Sequence, residues 1–177
     1  MLKKETRILG ISTTLPLKAG IVIVGTIFRG SSWLDGILTC TLGLKNDHRM
    51  LQLSGEIISS RQYSQLHAVI ISKNQTVLQR DNQIAELARR LKLPVIILLE
   101  RASVEMRNHS RGVNEYYLDI NGEQLRLFAK GVGIKEIREL FTVCCVQNSC
   151  VPEAVRVADL ITKQVNRRGT EPETSNA

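Results

Sequence analysis

Two serines stand where apolar runs end. Ser12 follows Arg7-Ile8-Leu9-Gly10-Ile11, and Ser72 follows Ala68-Val69-Ile70-Ile71. Both runs have the length and composition of buried strands, and the ends of such strands are where an α/β sheet meets its ligands. A hydroxyl there can take part in hydrogen bonds, but it is a poor ligand for Mg²⁺, which selects hard, charged oxygens. Lys73 comes next in sequence. Its ammonium would repel a divalent cation and could pair with a phosphate. The plainer alternative is that Ser12, Ser72 and Lys73 begin solvated loops. A second group, Arg29, Trp33 and Asp35, surrounds the turn signal Gly30-Ser31-Ser32. Trp33 could stack on a base and Arg29 could contact a phosphate. The three could equally form a structural corner, with Trp33 half-buried and Asp35 paired to Arg29.

No Cys–His or Ser–His pairing can be argued from the rest of the chain. Cys144, Cys145 and Cys150 do not have zinc-site spacing, and His48, His67 and His109 lie far away in sequence. These thiols read as buried groups on a helix and the loop after it. A disulfide to Cys150 stays open, as in intracellular proteins of hyperthermophiles. No catalytic residue and no metal ligand is assigned, and no cofactor is expected. The formal net charge is +7. A basic surface attracts phosphates, although solubility explains the same charge. Basic residues gather at Arg80, Arg89, Arg90 and Lys92, and again at Arg101, Arg107 and Arg111. Aromatics make up only 4% of the chain, so duplex or structured nucleic acid suits this footprint better than single strands. The charged start Met1-Leu2-Lys3-Lys4-Glu5 is not a signal peptide, and no apolar stretch is long enough for a membrane span. A cytoplasmic protein is expected.

The elements that would position these residues follow from hydrophobic period and turn chemistry. Residues 6–12, 20–29 and 33–44 read as three strands with short connections, an antiparallel meander. Asp47 could cap a helix over 48–60 whose apolar face includes Leu51, Ile57 and Ile58. A strand over 67–72, a helix over 80–91 and a strand over 95–99 make a β-α-β crossover, so its strands should be parallel. Ser103 could cap a short helix to His109, followed by a mobile loop over 108–114. Asn121-Gly122 joins strands 116–120 and 125–130 in a hairpin. Helices are expected over 134–145 and 152–165, the second opening at Pro152, with Val155, Ala158, Leu160 and Ile161 partly buried. The result is one α/β domain over 1–166 and a disordered tail over 167–177. Three antiparallel strands followed by parallel ones, with helices on both faces of the mixed sheet, form a ribonuclease H-like arrangement, although other mixed α/β topologies fit the same pattern.

The segment Val24-Gly-Thr-Ile-Phe-Arg-Gly-Ser-Ser-Trp-Leu-Asp-Gly-Ile-Leu38 closely resembles a signature of domain-of-unknown-function family ninety-nine. That family is uncharacterised, mostly archaeal, and grouped with endonuclease V. Leu93-Pro94-Val95-Ile96-Ile97 resembles its second parallel strand. Val151 to Ile161 resembles its terminal helix, with Asp159 where the resemblance would put a histidine. The likeness runs over roughly residues 6–162, and Trp-Leu-Asp-Gly is its most specific piece. Endonuclease V cleaves near inosine with Mg²⁺ held by three acids. The resemblance implies one acid at Ser12, a second where Ser72-Lys73 stands, and a third in or before the first helix, where Glu56 is close without matching. Three readings follow. The first is a catalytically silent, nucleic-acid-binding domain. The second is an active nuclease with relocated carboxylates such as Asp35, Glu56 or Asp81, the only reading that needs Mg²⁺ or Mn²⁺. The third is a module for a protein or a small anion.

Overall fold

The computed structural model describes residues 2–16, 20–43, 48–72, 81–99 and 112–170, apart from the side chains of residues 81 and 168–170. Among these residues seven strands form one mixed sheet: β1 (Arg7–Thr13), β2 (Ile21–Arg29), β3 (Trp33–Leu42), β4 (Leu66–Ile71), β5 (Val95–Leu99), β6 (Val113–Ile120) and β7 (Glu123–Lys130). Their order across the sheet is β3-β2-β1-β4-β5-β7-β6. The first three strands are the expected antiparallel meander, with Ser12 opposite Val24 and Arg7 opposite Arg29. β4 lies parallel to both β1 and β5. The β6–β7 hairpin turns on Asn121 and Gly122 at φ 54° and 78°, the left-handed pair that a tight hairpin requires.

Helices cover both faces, and alternate residues of the central strands serve the two cores. Leu9, Ile11, Val69, Ile71, Val95 and Ile97 pack with α1 (Arg49–Ser59) and α2 (Asp81–Leu91). Ile8, Ala68, Ile70, Ile96 and Leu98 pack with α3 (Ile134–Cys144) and α4 (Glu153–Thr170). This double coverage is why these strands read as unbroken apolar runs rather than alternating ones. The core face of α1 is Met50, Leu53, Ser54 and Ile57, one stripe at helical spacing. Leu51 and Ile58, expected inside, are exposed. His48 at the N-cap of α1 makes no side-chain cap bond. A cap is worth about 1 kcal/mol, whereas each buried Met, Leu or Ile contributes about 2 kcal/mol, so packing decides this helix.

Several boundaries differ from the expectation. β3 stops at Leu42, and β6 starts at Val113, inside the stretch expected as loop. α4 continues to Thr170, past both the expected end at 165 and the tail boundary at 167. On α4, Val155 and Ala158 are buried as expected, but Leu160 is exposed. Asp47, Lys73, the Ser103 helix and the arginines at 80, 101, 107 and 111 lie outside the described residues. No described helix is long and apolar enough to cross a membrane.

One close approach fixes how α4 sits. Gly10, in the middle of β1, has no room for a side chain, because a Cβ there would meet the backbone of Ala154 and Val155. Beside it on β2, Thr26 Oγ1 donates to the Ala154 carbonyl at 2.5 Å. Helix backbone therefore rests directly on sheet backbone, and α4 runs from there toward the carboxyl ends of β1 and β4.

Candidate functional site at the strand ends

β1 and β4 are neighbours, and the Ser72 N–H donates to the Ile11 carbonyl at 2.8 Å. Ser12 and Ser72 thus end adjacent parallel strands, beside the point where sheet direction reverses between β2 and β1. Each is only 1% exposed, so neither begins a solvated loop. α4 closes over both. Ser12 Oγ and Thr162 Oγ1 are 3.0 Å apart. Thr162 Oγ1 also lies 3.2 Å from the Ala158 carbonyl and 3.0 Å from that of Asp159. Those carbonyls only accept, so the Thr162 proton goes to the helix and Ser12 donates to Thr162. Ser72 Oγ donates to Asp159 Oδ2 at 2.9 Å. Three residues after Ser12, the Leu15 N–H donates to Asn166 Oδ1 at 3.1 Å.

These donors do not suit a divalent ion. Serine and threonine hydroxyls are neutral, Asp159 supplies a single carboxylate, and that carboxylate is engaged by Ser72. The Thr13 hydroxyl, buried at the same strand end, has no partner among the described residues, and it too is neutral. Among those residues no group of three His, Cys, Asp or Glu could hold a metal. Asp159 and Thr162 were not picked out as site residues from sequence. The signal available was Asp159 in place of the implied histidine.

Arg29, Trp33 and Asp35 lie at the opposite end of the sheet. Arg7 pairs with Arg29 and Ser12 with Val24, so five residues of β1, roughly 17 Å, separate the two groups. Asp35 accepts from Arg29 Nη2 at 2.8 Å and from Arg7 Nε at 2.5 Å. The Arg29 guanidinium, and Arg7 after it, hold the Asp35 carboxyl below its usual range against the opposing effect of burial. Gln62 Nε2 donates to the Asp35 carbonyl at 3.2 Å. Asp35 is therefore the centre of a corner. Trp33 is 64% exposed on the same hairpin and is not half-buried.

Other basic residues are partly committed. Arg90 pairs with Glu86 at 2.8 Å within α2. Arg89, Lys92 and Lys130 line one open depression of about 340 Å³, with no acid among the described residues that line it. Two of these cations follow from the end of α2, where the helix dipole favours them. Lys130 arrives from β7 and could not be placed there from sequence. All four cysteines are free thiols. Burial pushes Cys40 up to about 11 and Cys144 and Cys145 up to about 12, the reverse of what a thiolate nucleophile needs.

No profile of a known protein family matches the chain. It is 28% identical over 178 residues to a UPF0215 protein of Methanosarcina acetivorans, covering 90% of both chains. It is 27% identical over 184 residues to one of Methanothermobacter thermautotrophicus, covering 93% of this chain and 89% of that one. Among solved structures it is similar to a protein of unknown function from Archaeoglobus fulgidus, with TM-score 0.70, 16% identity, and coverage of 90% and 98%. It is similar to human ENDOV at TM-score 0.64 and 12% identity, covering 94% and 86%. It is also similar to Ciona intestinalis endonuclease V bound to a 24mer DNA containing an inosine, at TM-score 0.63 and 9% identity, covering 92% and 86%. The fold is therefore the expected ribonuclease H-like α/β arrangement, and the chain resembles archaeal UPF0215 proteins.

Proposed function

We propose that this protein is a catalytically silent endonuclease V-like domain that binds duplex or structured nucleic acid, belongs with domain-of-unknown-function family ninety-nine, and works in the cytoplasm without a metal or other cofactor. The observation that carries this reading is the pair Ser12 and Ser72. They occupy the strand ends where the resemblance implies acids, and both hydroxyls are spent on α4. A water-activating metal needs several carboxylates directed at open space, and two buried hydroxyls beside one carboxylate already engaged by Ser72 do not support such a site. The net charge of +7 supports an anionic partner. The Ciona relative in fold was crystallised with DNA. Exposed Trp33 beside Arg29, and the depression lined by Arg89, Lys92 and Lys130, are the surfaces we assign to contact. The relocated-carboxylate reading loses support because Asp35, roughly 17 Å from the two serines, is consumed by two arginines.

The test is a fluorescence-anisotropy titration of plain and inosine-containing DNA and RNA duplexes over a salt series with Mg²⁺ or Mn²⁺, each sample then run on a denaturing gel. Affinity should fall linearly on a log–log salt plot with the strands intact. Cleaved strands would overturn the silence. An absence of binding even at low salt would remove nucleic acid and leave a protein or small-anion partner.

A further inference from the structure

β3 is the edge strand beyond β2 among the described residues, and the hydrogen bonds of β2 fix its backbone directions. The Thr14 N–H donates to the Val22 carbonyl at 2.9 Å, and the Val22 N–H donates to Thr14 Oγ1 at 3.0 Å. Val22 therefore turns its backbone groups toward β1, and its pairing with Thr41 of β3 is a non-hydrogen-bonded one. Alternation makes Val24–Thr39 and Thr26–Ile37 non-hydrogen-bonded as well. The N–H and C=O groups of Ile37, Thr39 and Thr41 consequently point away from the sheet. Two amides guard the ends of this row: Gln52 Nε2 donates to the Thr41 carbonyl at 3.1 Å and Gln62 Nε2 to the Asp35 carbonyl at 3.2 Å. Between them the outward groups of Ile37 and Thr39 receive no bond from any described residue.

Exposed edges are normally protected by lysine, proline or inward charges. From Trp33 to Leu42 there is no lysine, arginine or proline, and the single charge, Asp35, is held by Arg7 and Arg29. The opposite edge, β6, carries Glu115 and Asp119. On β3 the side chains beside the open window are apolar and exposed: Leu34 by 44% and Ile37 by 56%.

We propose that two copies of this chain pair through their β3 edges, antiparallel, about a two-fold axis at Leu38. That register sets Ile37 against Thr39 of the second copy and Thr39 against its Ile37. Four backbone hydrogen bonds form, drawn from the two residues the glutamines leave open. The occupant is a second copy for two reasons. A chain of net charge +7 repels itself wherever cations face cations, and this ten-residue edge presents none. An antiparallel pairing about a two-fold axis also satisfies the same groups on both copies and closes, leaving no β3 edge for a third.

A window this short belongs at the small end of interfaces, so mass should be followed by sedimentation across protein concentrations from about 1 µM to 1 mM. It should rise from 19.8 kDa toward twice that value. Ile37→Lys sets a cation at the pairing face, and Thr39→Pro removes an outward N–H; each should weaken dimerisation by about tenfold or more. Ile37 is exposed, so its variant keeps the fold and decides the matter even if Thr39→Pro does not fold. A single mass of 19.8 kDa at every concentration overturns the proposal. So does a dimer indifferent to Ile37→Lys, or one lost with Ile37→Lys but retained by a folded Thr39→Pro, which would mean side-chain contact without strand pairing.

Discussion

Replacing Gly10 with alanine adds one methyl group and should cost more stability than removing several elsewhere. The new Cβ would land on the Ala154 carbonyl carbon and the Val155 nitrogen, and 2.6 Å from the Ala154 oxygen. Ordinary contact is about 3.5 Å, so the shortfall is roughly 1 Å. Every atom it meets is backbone, so no side chain can swing aside and α4 must move as a body. Such a shift stretches Thr26 to Ala154 from 2.5 Å, Ser72 to Asp159 from 2.9 Å and Ser12 to Thr162 from 3.0 Å, the last two toward the limit of a hydrogen bond. Overpacking costs about 1–3 kcal/mol, and two weakened buried hydroxyl bonds add about 1 kcal/mol each, roughly 3–5 kcal/mol together. For a domain of this size that lowers Tm by roughly 6–20 °C. Urea unfolding and calorimetry measure it. Gly55→Ala is the control: a Cβ at that exposed position in α1 meets nothing within 4 Å, so it should raise stability by about 1 kcal/mol. A Gly10→Ala loss below about 1 kcal/mol would refute the seating of α4 on β1.

Asp35→Asn should destabilise by about 1 kcal/mol at neutral pH, since the pair is partly exposed. The folded carboxyl titrates below its unfolded value, so its stabilisation is complete above about pH 4 and vanishes as pH falls through the depressed folded pKa. Wild type and variant unfolding curves should converge only in acid, and a gap independent of pH would sink the assignment. Ser72→Asp sets a second carboxylate against Asp159. One carboxyl pKa of the folded pair then rises, which costs stability at neutral pH, and the deficit should shrink toward pH 4. Recovery on adding Mn²⁺ at neutral pH would instead reveal a metal site. Cys144 and Cys145, pushed up to about 12, should react with a disulfide reagent at pH 8 at least about tenfold slower in the folded protein than in urea. Equal rates would contradict their burial.

The sheet was legible because β1, β4 and β5 are covered on both faces and so carry continuous apolar runs, with Asn121-Gly122 as an unambiguous turn. Boundaries were harder. Val113 and Asn114 belong to β6 only because β7 supplies their partners Lys130 and Ala129, and no local signal reports that. In α1, the neighbouring pairs Met50-Leu51 and Ile57-Ile58 offer two apolar stripes, and the sheet chooses Met50 and Ile57. At the site, Ser12 and Ser72 could be found as strand ends, but their bonding could not. Thr162 is 150 positions from Ser12, and Asp159 is 87 from Ser72. Arg29–Asp35 was legible because a short turn brings the two together, whereas Arg7 reaches Asp35 only through the β1–β2 pairing.

The seating of α4 also imposes an order on the birth of the molecule. The face of β1 and β2 that it covers is complete by Arg29, yet its cover begins only at Glu153. At about 5–20 residues per second, that face waits several seconds or more for Ala154 to emerge. During this interval Gly10, Thr26 and the hydroxyls of Ser12 and Ser72 have neither helix nor partner. A nascent chain halted before residue 153 would carry a finished meander with one bare side, the species a holding chaperone should retain and a protease should find first.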